Sequence, residues 1–159
     1  DLTYIPTDEG WLFLSGIMDF CTREIVGYAM GSRMTTELVR EALQRALQYK
    51  KPKQGCIHHS DRGSQYCSLK YQKDLKKAGF LASMSRKGNC YDNAPVESLW
   101  GSLKQELIFQ RRFKSRSEAR VAIREYIEVF YNRIRRHSAI NNMAPSIFAE
   151  IYYSKRRPA

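Results

Sequence analysis

The sequence predicts an α/β fold in which a mixed five-stranded sheet, three antiparallel strands plus two parallel ones, is flanked by helices. Three observations lead there: β-rich segments separated by turn residues fill the first 30 positions, helical periodicity begins at Thr35, and strand and helix patterns alternate from Cys56 to Met84.

DLTYI is short and rich in β-formers, PTDEG supplies turn residues, and WLFLSGIMD is an almost unbroken apolar run that reads as a buried strand. With EIVGYAM after FCTR, these segments form an antiparallel meander. From Thr35, Leu38, Val39, Ala42, Leu43, Ala46 and Leu47 recur at helical spacing, and Pro52 lies beyond the last turn. CIHHS reads as a fourth strand ending at Asp61, SLKYQKDLKKAG as a helix stopped by Gly79, and FLASM as a fifth strand. Crossover helices imply parallel pairing in this half.

SRKGNCYDNAP has the composition of an irregular loop, after which Val96, Leu99, Trp100, Leu103 and Leu107 make one helical stripe. Ser115 and Glu118 fit a capping box that opens a long closing helix through Ile134. No repeat or interdomain linker interrupts the chain, so residues 1–150 are expected to form one domain, with 151–159 a short, basic, frayed tail. A chain that opens on a functional aspartate without Met is expected to be part of something longer.

The net charge is +11, from 27 Lys and Arg against 16 Asp and Glu, and it is concentrated in the last third. Such a surface favours a polyanion, because neutralising phosphates releases condensed counterions. DNA is the expected partner. Cysteines at 21, 56, 67 and 90 form no CxxC pair, so reduced thiols and a cytoplasmic location are expected. Cys56, His58, His59 and Cys67 lack the paired spacing of a zinc site. Neither a signal peptide nor a membrane span is legible.

Asp1, Asp61 and Glu97 each stand where an element meets a loop, the usual place for functional groups on a rigid scaffold. Thirty-five residues separate Asp61 from Glu97, and Lys104 follows Glu97 by seven, two turns along the same helix face, with Gly101 between them. Asp19 also ends a strand and competes for the first position.

DLTYIPT, DFCTREIVGYAM, HHSDRGSQY, SMSRKGNCYDNAPVES and YNRIRRHSAINNMAP, in that order, resemble the retroviral-integrase-type core of bacterial insertion-sequence transposases, the subfamily encoded by two overlapping reading frames. The resemblance spans essentially the whole chain and assigns the first acidic position to the acid of DLTY, so that Asp19 reads as a turn residue opening the FCTR hairpin. It implies a ribonuclease-H-like fold in which Asp1, Asp61 and Glu97 hold two Mg²⁺ or Mn²⁺ ions for 3′-end cleavage and strand transfer. Hard cations do take carboxylate oxygens, and two of them stabilise both the attacking and the leaving oxygen of an in-line displacement. A nuclease of the same fold that only hydrolyses, and a noncatalytic DNA-binding module descended from a transposase, are the alternatives.

Lys104 is expected to meet a DNA phosphate beside the acids, and Ser85, Arg86, Lys87, Gly88 and Asn89 to form a loop that clamps DNA. His58 and His59 flank the second acid but point to opposite faces of a strand. Tyr131, Asn132, Arg133, Arg136 and His137 match the closing signature of the resembled family. Arg135 and Arg136 are expected to reach phosphate, while Tyr131 and Asn132 suit docking of the last helix. The DNA would be element ends and target. Joining two ends calls for a homo-oligomer, with end recognition in an upstream DNA-binding domain or a partner chain and nucleoid association when active.

Overall fold

The computed structural model describes residues 1–85 and 94–155, and over them the meander forms as expected. Strands β1 (Leu2–Ile5), β2 (Leu12–Met18) and β3 (Ile25–Gly31) pair antiparallel in chain order, with Leu2 opposite Ser15 and Gly16 opposite Tyr28. Asp19 makes the β2–β3 turn: its Oδ1 accepts from Cys21 N at 2.9 Å, while Arg23 takes a left-handed φ of 63°. The other carboxylate oxygen accepts from Tyr153 Oη at 2.5 Å. Asp19 therefore serves the turn, as expected.

Helix α1 (Thr36–Lys50) starts on Thr35, whose hydroxyl accepts from Leu38 N at 3.2 Å. It lies on one face of the meander so closely that a Cβ at Gly27 would fall 2.6 Å from Ala46 N. Beyond it come β4 (Ile57–Ser60), the single turn α2 (Ser64–Cys67), α3 (Leu69–Lys77) and β5 (Leu81–Met84). β4 and β5 pair parallel, His59 opposite Ser83. Gly79, at φ +76°, ends the α3 segment in the left-handed conformation that favours glycine.

Both predicted strand sets are present, but among the described residues they hydrogen-bond as a three-stranded and a two-stranded sheet, not as one five-stranded ladder. Periodicity identifies strands and their directions. It does not fix whether two neighbouring edges come within hydrogen-bonding distance. Side chains join the halves instead: Leu2 and Ile17 pack with Val39, Leu43, Tyr66, Tyr71 and Leu75.

Helices α4 (Ala94–Glu106) and α5 (Arg116–Glu125) cover the other face of the meander. There Ile5, Leu12 and Leu14 are buried with Leu99, Trp100, Leu103, Ile123 and Ile127. Each such side chain withdrawn from water contributes roughly 1.5–3 kcal/mol. Ser115 caps α5 as expected, its Oγ accepting from Glu118 N at 3.1 Å, but the Glu118 carboxylate reaches back to Lys114 N and not to the cap residue.

The expected closing helix runs unbroken from Arg116 to residue 133, with a π-helical middle (Tyr126–Tyr131), and a further helix α6 (Pro145–Ser154) follows a 3₁₀ turn (Ser138–Ile140). Pro145 suits a helix start because its missing N–H is one that no helical partner would accept. α6 crosses the expected boundary at 150, so residues 151–154 are helical, and the bond from Tyr153 to Asp19 docks them on the β2–β3 turn.

Candidate active site

Asp1 extends the β1 ladder by one residue: its nitrogen donates to Gly16 O and Gly16 N donates to Asp1 O, each at 2.9 Å. The carboxylate is held on both oxygens. Leu2 N donates to Oδ1 at 2.7 Å, and the Trp100 indole Nε1 donates to Oδ2 at 3.0 Å. Gly16 makes room for that indole, since a Cβ there would fall 2.5 Å from Trp100 Cη2. Strand β1, strand β2 and helix α4 thus meet at the first acid.

Asp61 follows β4 directly and is half-buried. Its Oδ1 accepts from Gly63 N at 2.9 Å, the local bond by which an aspartate stabilises a turn two residues ahead. The Asp61 carboxylate lies within Coulombic range of the Asp1 backbone nitrogen, which places the end of β4 near the start of β1.

The histidines before Asp61 diverge as a strand requires. His58 Nε2 pairs with Tyr71 Oη at 2.9 Å, and burial above all brings His58 down to about 4. His59 turns the other way, to Ser83 Oγ at 2.9 Å and Ser85 Oγ at 3.0 Å. Arg62 Nε donates to Ser85 O at 2.8 Å. Ser85 is therefore a buried anchor at the end of β5, not an exposed clamp residue. Arg86, Lys87, Gly88 and Asn89 lie outside the described residues.

Glu97 is exposed in the first turn of α4, three residues before Trp100 and on a neighbouring stretch of the same helix face. One turn further on, Lys104 Nζ lies 5.0 Å from the Tyr4 ring centroid. Helix α4 consequently runs beside β1, with Trp100 at Asp1 and Lys104 at Tyr4. Among the described residues no three His, Cys, Asp or Glu side chains form a group able to hold a metal ion. Asp1, Asp61 and Glu97 are therefore not gathered into one such group.

The closing signature is mostly structural. Asn132 clamps β3, donating from Nδ2 to Ile25 O and accepting at Oδ1 from Ile25 N, both at 3.0 Å. Tyr131 is buried and meets His137 edge-on. Arg135, expected at phosphate, is taken up inside the protein: its guanidinium pairs with Glu106 at 2.8 Å, donates to Ser102 Oγ at 3.1 Å and lies over Tyr131. Arg133 and Arg136 are exposed.

The contacts of three residues around these acids have no signal in the sequence. Trp100 counts there as one more core residue of a stripe, and Gly16 as a strand glycine. His59 has no spacing signal for its two serine partners. A glycine inside a buried strand is the one available hint, because it marks a close approach.

Two families described as integrase core domain match the chain, one over residues 1–90 and one over residues 78–145. An uncharacterized 31 kDa protein of insertion element IS600 from Shigella sonnei is 58% identical over 153 residues, 96% of this chain and 56% of its own length. The transposase InsF of insertion sequence IS3A from Escherichia coli (strain K12) is 48% identical over 148 residues, 93% of this chain and 51% of its own. The chain spans about half the length of these curated relatives.

Among solved structures, the simian T-cell lymphotropic virus intasome in complex with a PP2A regulatory subunit superposes with a TM-score of 0.77 at 15% identity, covering 100% of this chain and 54% of that one. The HTLV-2 integrase catalytic core domain in complex with magnesium gives 0.68 at 12% identity, covering 93% and 91%. These likenesses establish the fold, the ribonuclease-H-like arrangement of integrase catalytic cores. No described helix is long and apolar enough to cross a membrane.

Proposed function

The chain belongs to the integrase core domain family, alongside transposases of insertion sequences, and from that premise we propose that it is the catalytic core of a DNA transposase that cuts and joins phosphodiester bonds. The observation that carries this reading is the Trp100–Asp1 hydrogen bond, which ties the helix bearing Glu97 to the strand bearing the first acid.

Asp1, Asp61 and Glu97 are the residues that would hold two Mg²⁺ or Mn²⁺ ions. Their chemistry fits, since all three offer hard carboxylate oxygens, and the hydrogen-bonded oxygens of Asp1 and Asp61 keep a free lone pair. Like charges without a counterion repel, so the three acids are not expected to gather before the ions bind. When bound, the ions supply charge neutralisation at the attacking and leaving oxygens. The protein supplies position. Trp100 and Leu2 fix the Asp1 carboxylate, Gly63 fixes that of Asp61, and α4, tied to Asp1 through Trp100, carries Glu97 three residues earlier.

Lys104 binds a backbone phosphate of the DNA from the same helix face, and Arg136 adds an exposed cation. In this reading a water or a 3′-hydroxyl attacks phosphorus in line, the P–O3′ bond breaks on the opposite side, and the proton of the nucleophile passes to solvent. Two DNA ends call for at least two copies of the chain. Element-end recognition belongs to parts of the longer relatives outside the matched half.

The test is a strand-transfer assay. An oligonucleotide with a free 3′-hydroxyl, a target plasmid and Mn²⁺ are incubated with the wild-type chain and with Asp61→Asn and Glu97→Gln. Joined product from the wild type and none from either variant is expected. Hydrolysis without joining would favour the nuclease, and equal product from all three proteins would remove the acids from the reaction.

A further inference from the structure

The β1–β2 hairpin carries a feature that the acids and Lys104 do not account for. Tyr4 and Trp11 are 50% and 51% exposed, large values for aromatic rings on ordered backbone. They meet each other at 4.9 Å between centroids, with an 82° angle between planes. Register explains the meeting: Tyr4 lies opposite Phe13, so Trp11 is its diagonal neighbour across the hairpin. The backbone under the indole is pinned, because Arg116 Nε donates to Trp11 O at 3.0 Å.

Neither ring contributes to the buried clusters of the fold. What they have instead is a cation: Lys104 Nζ sits 5.0 Å from the Tyr4 centroid. Indole, phenol and ammonium are thereby chained together: the two half-exposed rings meet near a right angle, and the positive charge lies over the phenol. Tyr4 is three strand positions from Asp1, roughly 10 Å along β1. An aromatic face next to a phosphate-binding cation is how proteins hold unpaired nucleotides, since every base has a π-face that stacks regardless of sequence.

We infer that Trp11, walled by Tyr4 and served by Lys104, is a stacking platform for one unpaired nucleotide of the DNA strand that enters the site. The inference rests on the proposed reading of the chain as acting on DNA. The base lies on the indole, its phosphate meets the Lys104 ammonium, and the strand continues toward Asp1. The platform makes the site prefer DNA whose end is already unpaired over a blunt duplex.

The experiment compares a blunt duplex with the same duplex bearing a three-nucleotide single-stranded extension that contains 2-aminopurine, without divalent metal so that no chemistry intervenes. For the wild-type chain the extension is expected to tighten binding about tenfold, the effect of one stacked base, and to quench the 2-aminopurine emission. Trp11→Phe keeps both effects. Trp11→Leu, which preserves bulk at this half-exposed position but has no π-face, brings the ratio of affinities near one and abolishes the quenching. Trp11→Ala provides the same reading should the leucine variant misfold. If the ratio and quenching survive in the leucine and alanine variants, or if the wild type binds both duplexes equally, the platform is overturned while the transposase reading stands. If the wild type binds neither duplex at low salt, both fall.

Discussion

Trp100 donates its indole hydrogen to Asp1 Oδ2 at 3.0 Å across 99 positions of sequence, and the absence of a side chain at Gly16 leaves room for it. A core residue on one helix face thus orients a carboxylate on another element. Trp100→Phe keeps most of the buried ring and removes the donor. Losing a hydrogen bond to a charged group costs about 1.5–3 kcal/mol, so the thermal midpoint should fall modestly. Strand transfer should fall further than folding does, because the Asp1 carboxylate is then free to rotate. Calorimetry and single-turnover joining on the same preparation separate the two.

Gly16→Ala attacks the same contact from the strand side. Its new methyl would lie 2.5 Å from the indole, and overpacking of that kind costs about 1–3 kcal/mol. Gly101 is the contrast. Nothing lies within 4 Å of a Cβ there, so Gly101→Ala should stabilise helix α4 by about 0.5–1 kcal/mol. Urea midpoints that move in opposite directions for the two variants would verify this.

Arg135 and Arg136 are neighbours with different work. Arg135→Ala releases Glu106, Ser102 and Tyr131 together, and should lower the melting temperature by several degrees. Arg136→Ala, at an exposed position, should leave the melting temperature within a degree or so. Its DNA affinity should weaken, with the slope of log K against log salt shallower by about 0.9, the value for one phosphate contact. Fluorescence titrations at four salt concentrations give that slope.

His58 makes stability depend on pH in a defined window. Burial lowers it from 6.5 to about 4, so between those values the unfolded chain binds a proton that the folded chain does not. Stability contributed by the neutral ring is full above 6.5 and is lost as pH falls toward 4, at up to about 1.4 kcal/mol per pH unit. His58→Gln should flatten that part of the profile, as read from denaturant midpoints between pH 4.5 and 7.

Much of this was legible in sequence. Thr35 and Ser115 announce their helices because a hydroxyl ahead of an apolar stripe has a local purpose, and Asp61 and Glu97 stand out by their 35-residue spacing with Lys104 seven beyond, since an acid at an element end can equally serve a turn, as Asp19 does. Local signals carried Asp19 into its turn as well. Long-range contacts did not show. The Trp100–Asp1 bond, the capture of Arg135 by Glu106 and the bridging of Ser83 and Ser85 by His59 join residues that no periodicity relates. Helix α6 was hidden for another reason. Its apolar residues follow an irregular stretch ending in Pro145, and such a run does not distinguish helix from loop by composition.

The proposed chemistry requires three distant acids to close around a cation. A Mn²⁺-soaked crystal, mapped by anomalous scattering, tests that directly. Density coordinated by Asp1 and Asp61, with the Glu97 carboxylate swung inward to complete the ligand set, is the predicted result. Manganese bound elsewhere, or Glu97 left pointing into solvent with no ion between the two aspartates, would contradict it.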